Sequence, residues 1–168
     1  AIEDVYPLSP TQEGMLFHTL ISPRLYVEVG RYELEGALDA SALRRAWERV
    51  MTRHAVLRTR FAWEGLERPL QVVERALDLP WTDEDWTGLS DADGEARFRE
   101  RVRVERERGF DLSQAPLWRI CLARVGEGRH RLIWSFHHAL LDGWCVPLLL
   151  KEVLGLYRSF TGGERLEL

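Results

Sequence analysis

His137 and His138 stand side by side at the end of an apolar run, Leu132 to Phe136, and Asp142 and Gly143 follow within a few residues. A nitrogen able to take a proton, a carboxylate able to hold local geometry, and a glycine that admits a ligand or a second backbone are the parts of a proton-transfer site. Extended backbone would put His138 in phase with Leu132, Trp134 and Phe136, and His137 in phase with Ile133 and Ser135. Two adjacent histidines on such a strand cannot both face one cavity. One is expected to be functional and the other structural. A different chemistry is open to the same residues. His138 and Asp142 are four apart, so one helical face could present both to a metal, but catalytic zinc takes three protein ligands and no third is marked. No metal is assigned.

The elements that must carry these residues are readable around them. Leu117–Val125 and His130–Phe136 read as a hairpin about Gly126-Glu127-Gly128. Pro147–Phe160 reads as the last helix, with Val146, Leu149, Leu150, Val153, Tyr157 and Phe160 along one side. Ser9, Pro10 and Gln12 form a helix start, with Ser9 as N-cap and Gln12 completing a capping box, and that helix runs to about Leu20. Tyr26–Leu34 reads as a strand whose apolar phase changes at Gly30, which suggests a bulge. Ser41–His54 is the clearest amphipathic helix, capped by Asp39. Val56–Trp63 and Leu70–Glu74 read as a second hairpin, Leu79–Asp93 as loop with at most a short strand, and Glu95–Arg108 as a charged helix stopped by Gly109. This order predicts an α/β (α+β) fold with helices packed on a mixed sheet.

Composition bounds the function. A length of 168 residues suits one domain with a real core. A net charge of −4 gives no electrostatic case for nucleic acid. No apolar run reaches the length of a membrane span, and no secretory signal opens the chain, so a cytoplasmic location is expected. Cys121 and Cys145 belong to no paired motif and read as reduced core thiols. The seven tryptophans are expected mostly in the core.

Four segments together carry a resemblance. His137-His138-Ala139-Leu140-Leu141-Asp142-Gly143 fits the HHxxxDG signature of acyl-transferring condensation enzymes. The segment from Tyr6-Pro7-Leu8-Ser9 through Met15-Leu16-Phe17-His18 resembles the opening motif of condensation domains of nonribosomal peptide synthetases. Arg53-His54-Ala55-Val56-Leu57-Arg58-Thr59-Arg60-Phe61 resembles their second motif, RHxxLRTxF. Phe110–Leu117 is similar to the stretch upstream of the histidines. The match covers residues 1–168 but about half of the family's domain, whose two lobes are alike. The chain looks like the N-terminal lobe, of chloramphenicol acetyltransferase-like fold, with the C-terminal lobe absent.

That resemblance implies a reaction and a cast. A donor acyl or peptidyl thioester on one carrier protein is attacked by the amine of an aminoacyl thioester on another. Both are held on 4′-phosphopantetheine belonging to the carriers, and the chain itself binds no cofactor. Donor and acceptor carriers, the C-terminal lobe and neighbouring synthetase domains are the implied partners, in pathways such as antibiotic or siderophore assembly. His138 is the implied active-site residue, as base or as positioning group, with Gly143 beside it. His137, Asp142 and Arg58 are implied supports. The family pattern pairs the aspartate with an arginine, and Arg58 is the best partner; breaking such a buried pair costs about 3–5 kcal/mol. Trp144, Ser9 and Gln12 are candidates for the substrate tunnel. Cys145 departs from the commoner serine and reads as a small packed residue. Glu13-Gly14-Met15 is a variant associated with joining two L-residues. A lone lobe is expected to fold, to expose apolar surface and to condense poorly. A coenzyme A-dependent acyltransferase of the same superfamily and a noncatalytic carrier-docking module are the alternatives. Epimerization domains usually open differently, and heterocyclization relatives carry aspartate in place of His137.

Overall fold

The computed structural model describes residues 1–162. In chain order the elements are β1 (Ile2–Pro7), α1 (Pro10–Ile21), β2 (Val27–Glu35), α2 (Ala40–Arg53), β3 (Thr59–Ala62), β4 (Leu70–Glu74), β5 (Trp81–Asp85), α3 (Asp91–Arg108), β6 (Trp118–Gly126), β7 (Arg129–His137) and α4 (Cys145–Gly162). The strands make two sheets rather than the one expected. A three-stranded antiparallel sheet has the order β1-β4-β3, and a four-stranded mixed sheet has the order β2-β7-β6-β5, with β5 parallel to β6.

The core follows from alternation on β6 and β7. Trp118, Ile120 and Leu122 of β6 and Leu132, Trp134 and Phe136 of β7 share one face with Leu43, Trp47 and Val50 of α2 and Leu149 and Val153 of α4. Trp47 packs edge-on against Trp134 at 4.9 Å between centroids and tilted on Trp118 at 5.6 Å. The Trp118 indole N–H donates to Leu57 O at 2.8 Å, so this large apolar side chain is buried without an orphaned donor. Cys121, Ala123 and Ile133 face the other way, against Trp86 and against Phe98 and Val102 of α3.

The apolar line of α3 is thin, and ion pairs reinforce it. The buried Glu105 carboxylate accepts from Arg119 Nε at 2.8 Å and from the Ser135 hydroxyl at 2.9 Å, and Arg101 lies 3.2 Å away. Burial alone would raise the Glu105 pKa, but Arg119, Ser135 and Arg101 outweigh it and hold the carboxyl below its ordinary value. Beside it, burial and the Glu84 carboxylate push the Cys121 thiol up to about 11, which makes it an inert core thiol. At the end of α3, Gly109 has φ +61°, and a Cβ there would lie 2.6 Å from Pro23 O. Only glycine lets α3 end against the turn that leads into β2.

Several expected boundaries move. No bulge occurs at Gly30, because β2 and β7 stay in one register from Val27↔His137 to Glu35↔Arg129. The apolar phase changes because both faces of β2 are covered: Val29 packs on the smaller cluster that holds Phe98 and Val102, while Tyr32 and Leu34 pack on the main core that holds Trp47 and Trp134. Gly30 instead makes room for the Tyr32 ring, whose atoms come within 2.8 Å of where its Cβ would be. Ala55–Arg58 forms a 3₁₀ turn, so the strand expected from Val56 begins at Thr59. β1 is an addition to the expected elements; every one of its residues is exposed, so it shows no buried period.

Candidate active site

The chain leaves β7 at His137, and its direction there is tightly specified. His137 N–H donates to Leu117 O at 3.0 Å, and Leu140 N–H returns to His137 O at 2.9 Å, closing a turn over His138–Leu140. The His137 ring is fully buried. Its Nδ1 accepts the Ala139 N–H at 3.1 Å, so the ring proton is on Nε2, which faces Thr19 Oγ1 at 3.0 Å. Thr19 spends its own proton on Met15 O at 2.8 Å. Every polar atom of this imidazole is therefore satisfied in the neutral form. Desolvation, with the charge of His138 as a smaller contribution, lowers its pKa from 6.5 to about 4.

His138 faces differently and has the opposite tautomer. The residue is half-buried. Its Nδ1 lies 2.8 Å from Leu141 O, and a carbonyl can only accept, so Nδ1 carries the proton. The neutral ring then presents a lone pair at Nε2 that is bare among the described residues. The backbone is fixed from another side, since His138 N–H donates to Tyr26 O at 2.7 Å. Tyr26 reaches that position with φ +61°, a left-handed conformation that costs a bulky residue about 1–3 kcal/mol. Its ring meets the edge of His137 at 6.1 Å, and its hydroxyl lies 2.9 Å from His18 Nδ1. A histidine held at Nδ1–H with Nε2 free has the arrangement of a general base or a hydrogen-bond acceptor for an incoming nucleophile.

Asp142 is not paired with Arg58. It is exposed, and its carboxylate caps α4, accepting Trp144 N–H and Cys145 N–H at 2.9 Å each. Hydrogen bonds from Cys145 and Trp144 hold the Asp142 carboxyl below its usual value. Residues 138–144 form a turn rather than a helix, so the shared helical face needed for a metal pair is not formed. Arg58 is a buried clamp elsewhere. Its guanidinium donates to Glu3 Oε2 at 2.7 Å, to Met51 O at 3.2 Å, to Arg75 O at 3.3 Å, to Thr52 O at 3.4 Å and to Glu74 O. It ties β1 and the end of β4 to the end of α2. Choosing Arg58 as the aspartate's partner fails because both are charged residues of the motifs, whereas the guanidinium's actual acceptors are mostly carbonyls, which no side-chain pattern reveals.

Gly143 lies in the exposed turn before α4, where a Cβ would meet no atom within 4 Å. Nothing in residues 1–162 requires glycine at this position. Trp144 beside it is 85 % exposed. Cys145 is partly buried, and burial with the Asp142 contact raises its pKa, which disfavours a nucleophilic thiolate. Ser9 and Gln12 form the expected capping box. Gln12 does more: its Nε2 donates to Ala139 O at 3.1 Å and its Oε1 accepts from Gln71 at 3.0 Å. Its polar atoms are thus occupied in bracing the turn after His138, from α1 and β4.

Two residues of the site leave no signal in the sequence. Thr19 lies just past the opening motif and looks like an ordinary helix residue; only the fold brings it to His137. Tyr26 reads as the first residue of a strand, and its left-handed backbone has no mark in the residue pattern.

The match to the condensation-domain family model spans residues 2–168. The chain belongs to that family. Among relatives of this condensation-domain chain, a linear gramicidin synthase of Brevibacillus parabrevis is 42% identical over 168 residues, covering 99% of the chain and 2% of the synthase. Bacitracin synthase 1 of Bacillus licheniformis is 36% identical over 165 residues, covering 97% and 3%. The chain thus spans a few per cent of these relatives. Its fold is that of solved condensation domains. The starter condensation domain of rhizomide synthetase RzmA superposes with TM-score 0.85 at 20% identity, over 98% of this chain and 41% of that one. The first condensation domain of the CDA synthetase gives 0.83 at 23% identity, over 99% and 43%.

Proposed function

We propose that this chain is the N-terminal lobe of a two-lobe, peptide-bond-forming condensation domain, and that His138 meets the acceptor amine there. The observation that carries the proposal is the His138 imidazole, half-buried, locked at Nδ1–H by Leu141 O and bare at Nε2. In the reaction the amine nitrogen of a carrier-bound aminoacyl thioester bonds to the acyl carbon of the donor thioester. The C–S bond breaks, and the donor pantetheine sulfur leaves as thiolate. The nitrogen sheds a proton, which Nε2 accepts or guides toward the leaving sulfur. An α-amino group has a reference pKa of about 7.7–8.0, so a useful fraction is already neutral near pH 7. General-base action supplies about 10²–10⁴-fold, whereas holding two reactants in line supplies about 7–11 kcal/mol. Holding the two thioesters in line is therefore the larger contribution, to which Nε2 adds by accepting from the amine, as base or as orienting group. The 4′-phosphopantetheine arms belong to donor and acceptor carrier proteins, and this chain contributes no cofactor of its own.

The second lobe completes the site. Phe17, Leu20 and Ile21 of α1 and Trp144 and Leu148 at the start of α4 are exposed large apolar side chains on the two elements that flank the histidine turn. A cover of matching apolar character fits them. β2 is nine residues long and has a free outer edge among the described residues, where a bridging strand can pair. Gly143, for which this lobe has no steric need, fits a close approach by substrate.

Amide formation from donor- and acceptor-loaded carriers tests the proposal, first with this chain alone and then with a C-terminal lobe added. Turnover is expected only in the second case, and His138→Ala should abolish it. Equal turnover by the lone chain would overturn the two-lobe reading. Carrier binding without turnover in both cases would reduce the chain to a docking module.

A further inference from the structure

We propose that Thr19 is a positioning residue for His138, acting through His137; the functional weight of this rests on His138 being the condensation histidine. The hydrogen bonds between the two run in a forced series of directions. Thr19 is buried in α1, and its hydroxyl proton goes back to Met15 O at 2.8 Å. That habit of helical threonines leaves Oγ1 as a pure acceptor toward the sheet. His137 Nε2 faces it at 3.0 Å and must supply the proton. His137 Nδ1 is then a pure acceptor and takes Ala139 N–H at 3.1 Å. This bond, with Leu140 N–H to His137 O at 2.9 Å, shapes the turn that brings Leu141 O to 2.8 Å from His138 Nδ1. The last link sets which nitrogen of His138 is bare.

Reversing any link sets two donors or two acceptors against each other. Without an acceptor at position 19, the His137 Nε2–H is buried and unpaired. The ring escapes by moving its proton to Nδ1, which then opposes the Ala139 N–H and opens the turn. Leu141 O withdraws from His138, and Nε2 is no longer obliged to be the bare nitrogen. Valine keeps the shape of threonine and loses the acceptor, while serine keeps the acceptor.

The direct test is ¹⁵N NMR of the imidazole nitrogens of this chain near pH 8, where ordinary imidazole is neutral. The wild-type chain is expected to show a protonated Nε2 on His137 and a protonated Nδ1 on His138. Thr19→Val should abolish the uniform His138 pattern, and Thr19→Ser should preserve it. In an enzyme with both lobes, Thr19→Val should lower kcat at least about tenfold, with KM for either loaded carrier within about twofold, and Thr19→Ser should restore it. The opposite tautomers in the wild-type chain would overturn the relay without need of any variant. So would a wild-type His138 pattern in folded Thr19→Val. If instead His138→Ala still condensed, the functional reading would fall while the spectra still decided the relay.

Discussion

Acid should weaken this fold through His137 before it weakens it through carboxylates. The ring is buried and satisfied only when neutral, and its pKa falls from 6.5 to about 4. Above pH 6.5 it is neutral in both the native and the unfolded chain and contributes nothing to pH dependence. Below that, the unfolded chain takes up a proton that the native ring refuses, so stability declines as pH falls. At about 1.4 kcal/mol per pH unit, the loss reaches about 3 kcal/mol by pH 4, and most of it has occurred by about pH 4.5. His130, whose pKa burial also lowers, adds in the same direction. Glu3, Glu84 and Glu105 are held below the ordinary carboxylate value of 4.5, so their stabilisation is lost only at lower pH. Urea unfolding between about pH 7 and pH 4.5 measures the decline. His137→Gln places a neutral amide where the ring stood, and its curve should lack this fall of about 2–3 kcal/mol whatever its starting stability. A flat wild-type profile, or an equal fall in the variant, would refute the buried-neutral assignment.

Three further outcomes are expected. Arg58→Leu leaves the buried Met51 carbonyl and the partly buried Glu74 and Arg75 carbonyls without their donor and should cost about 3 kcal/mol in urea unfolding, since an unsatisfied buried acceptor costs about 1–3 kcal/mol. Asp142→Ala removes a helix cap and should cost only about 1 kcal/mol, with Asp142→Ser retaining most of it; a loss of about 3–5 kcal/mol would restore the buried-pair view. Gly143→Ala has open space for its methyl and should leave stability within about 0.5 kcal/mol while reducing turnover of a two-lobe enzyme.

The parts of the fold that announce themselves in the sequence are those with one dry face. The stripe of Leu43, Ala46, Trp47 and Val50 marks α2, and the alternation of Trp118, Ile120 and Leu122 against Leu132, Trp134 and Phe136 marks the hairpin of β6 and β7. β1 has no dry face, and nothing in its residues points to β4. The candidate site is legible where side chains mark it, as with the two histidines, one buried and one half-buried. It is opaque where backbone does, as with the carbonyls of Tyr26 and Leu141 that orient His138. Asp142 lies between these cases. An aspartate three residues before Cys145 has the spacing of an N-cap, and the charge it lends to the motif masks that simpler role.

Trp144 gives the molecule a natural optical reporter. Trp47, Trp86, Trp118 and Trp134 are buried in either half of the core and should emit at short wavelength, shielded from iodide. Trp144, 85 % exposed, should emit at the red edge and be quenched freely. Whatever closes over the histidine turn should therefore announce its arrival as a blue shift and a loss of quenching from one indole, allowing closure to be timed separately from bond formation.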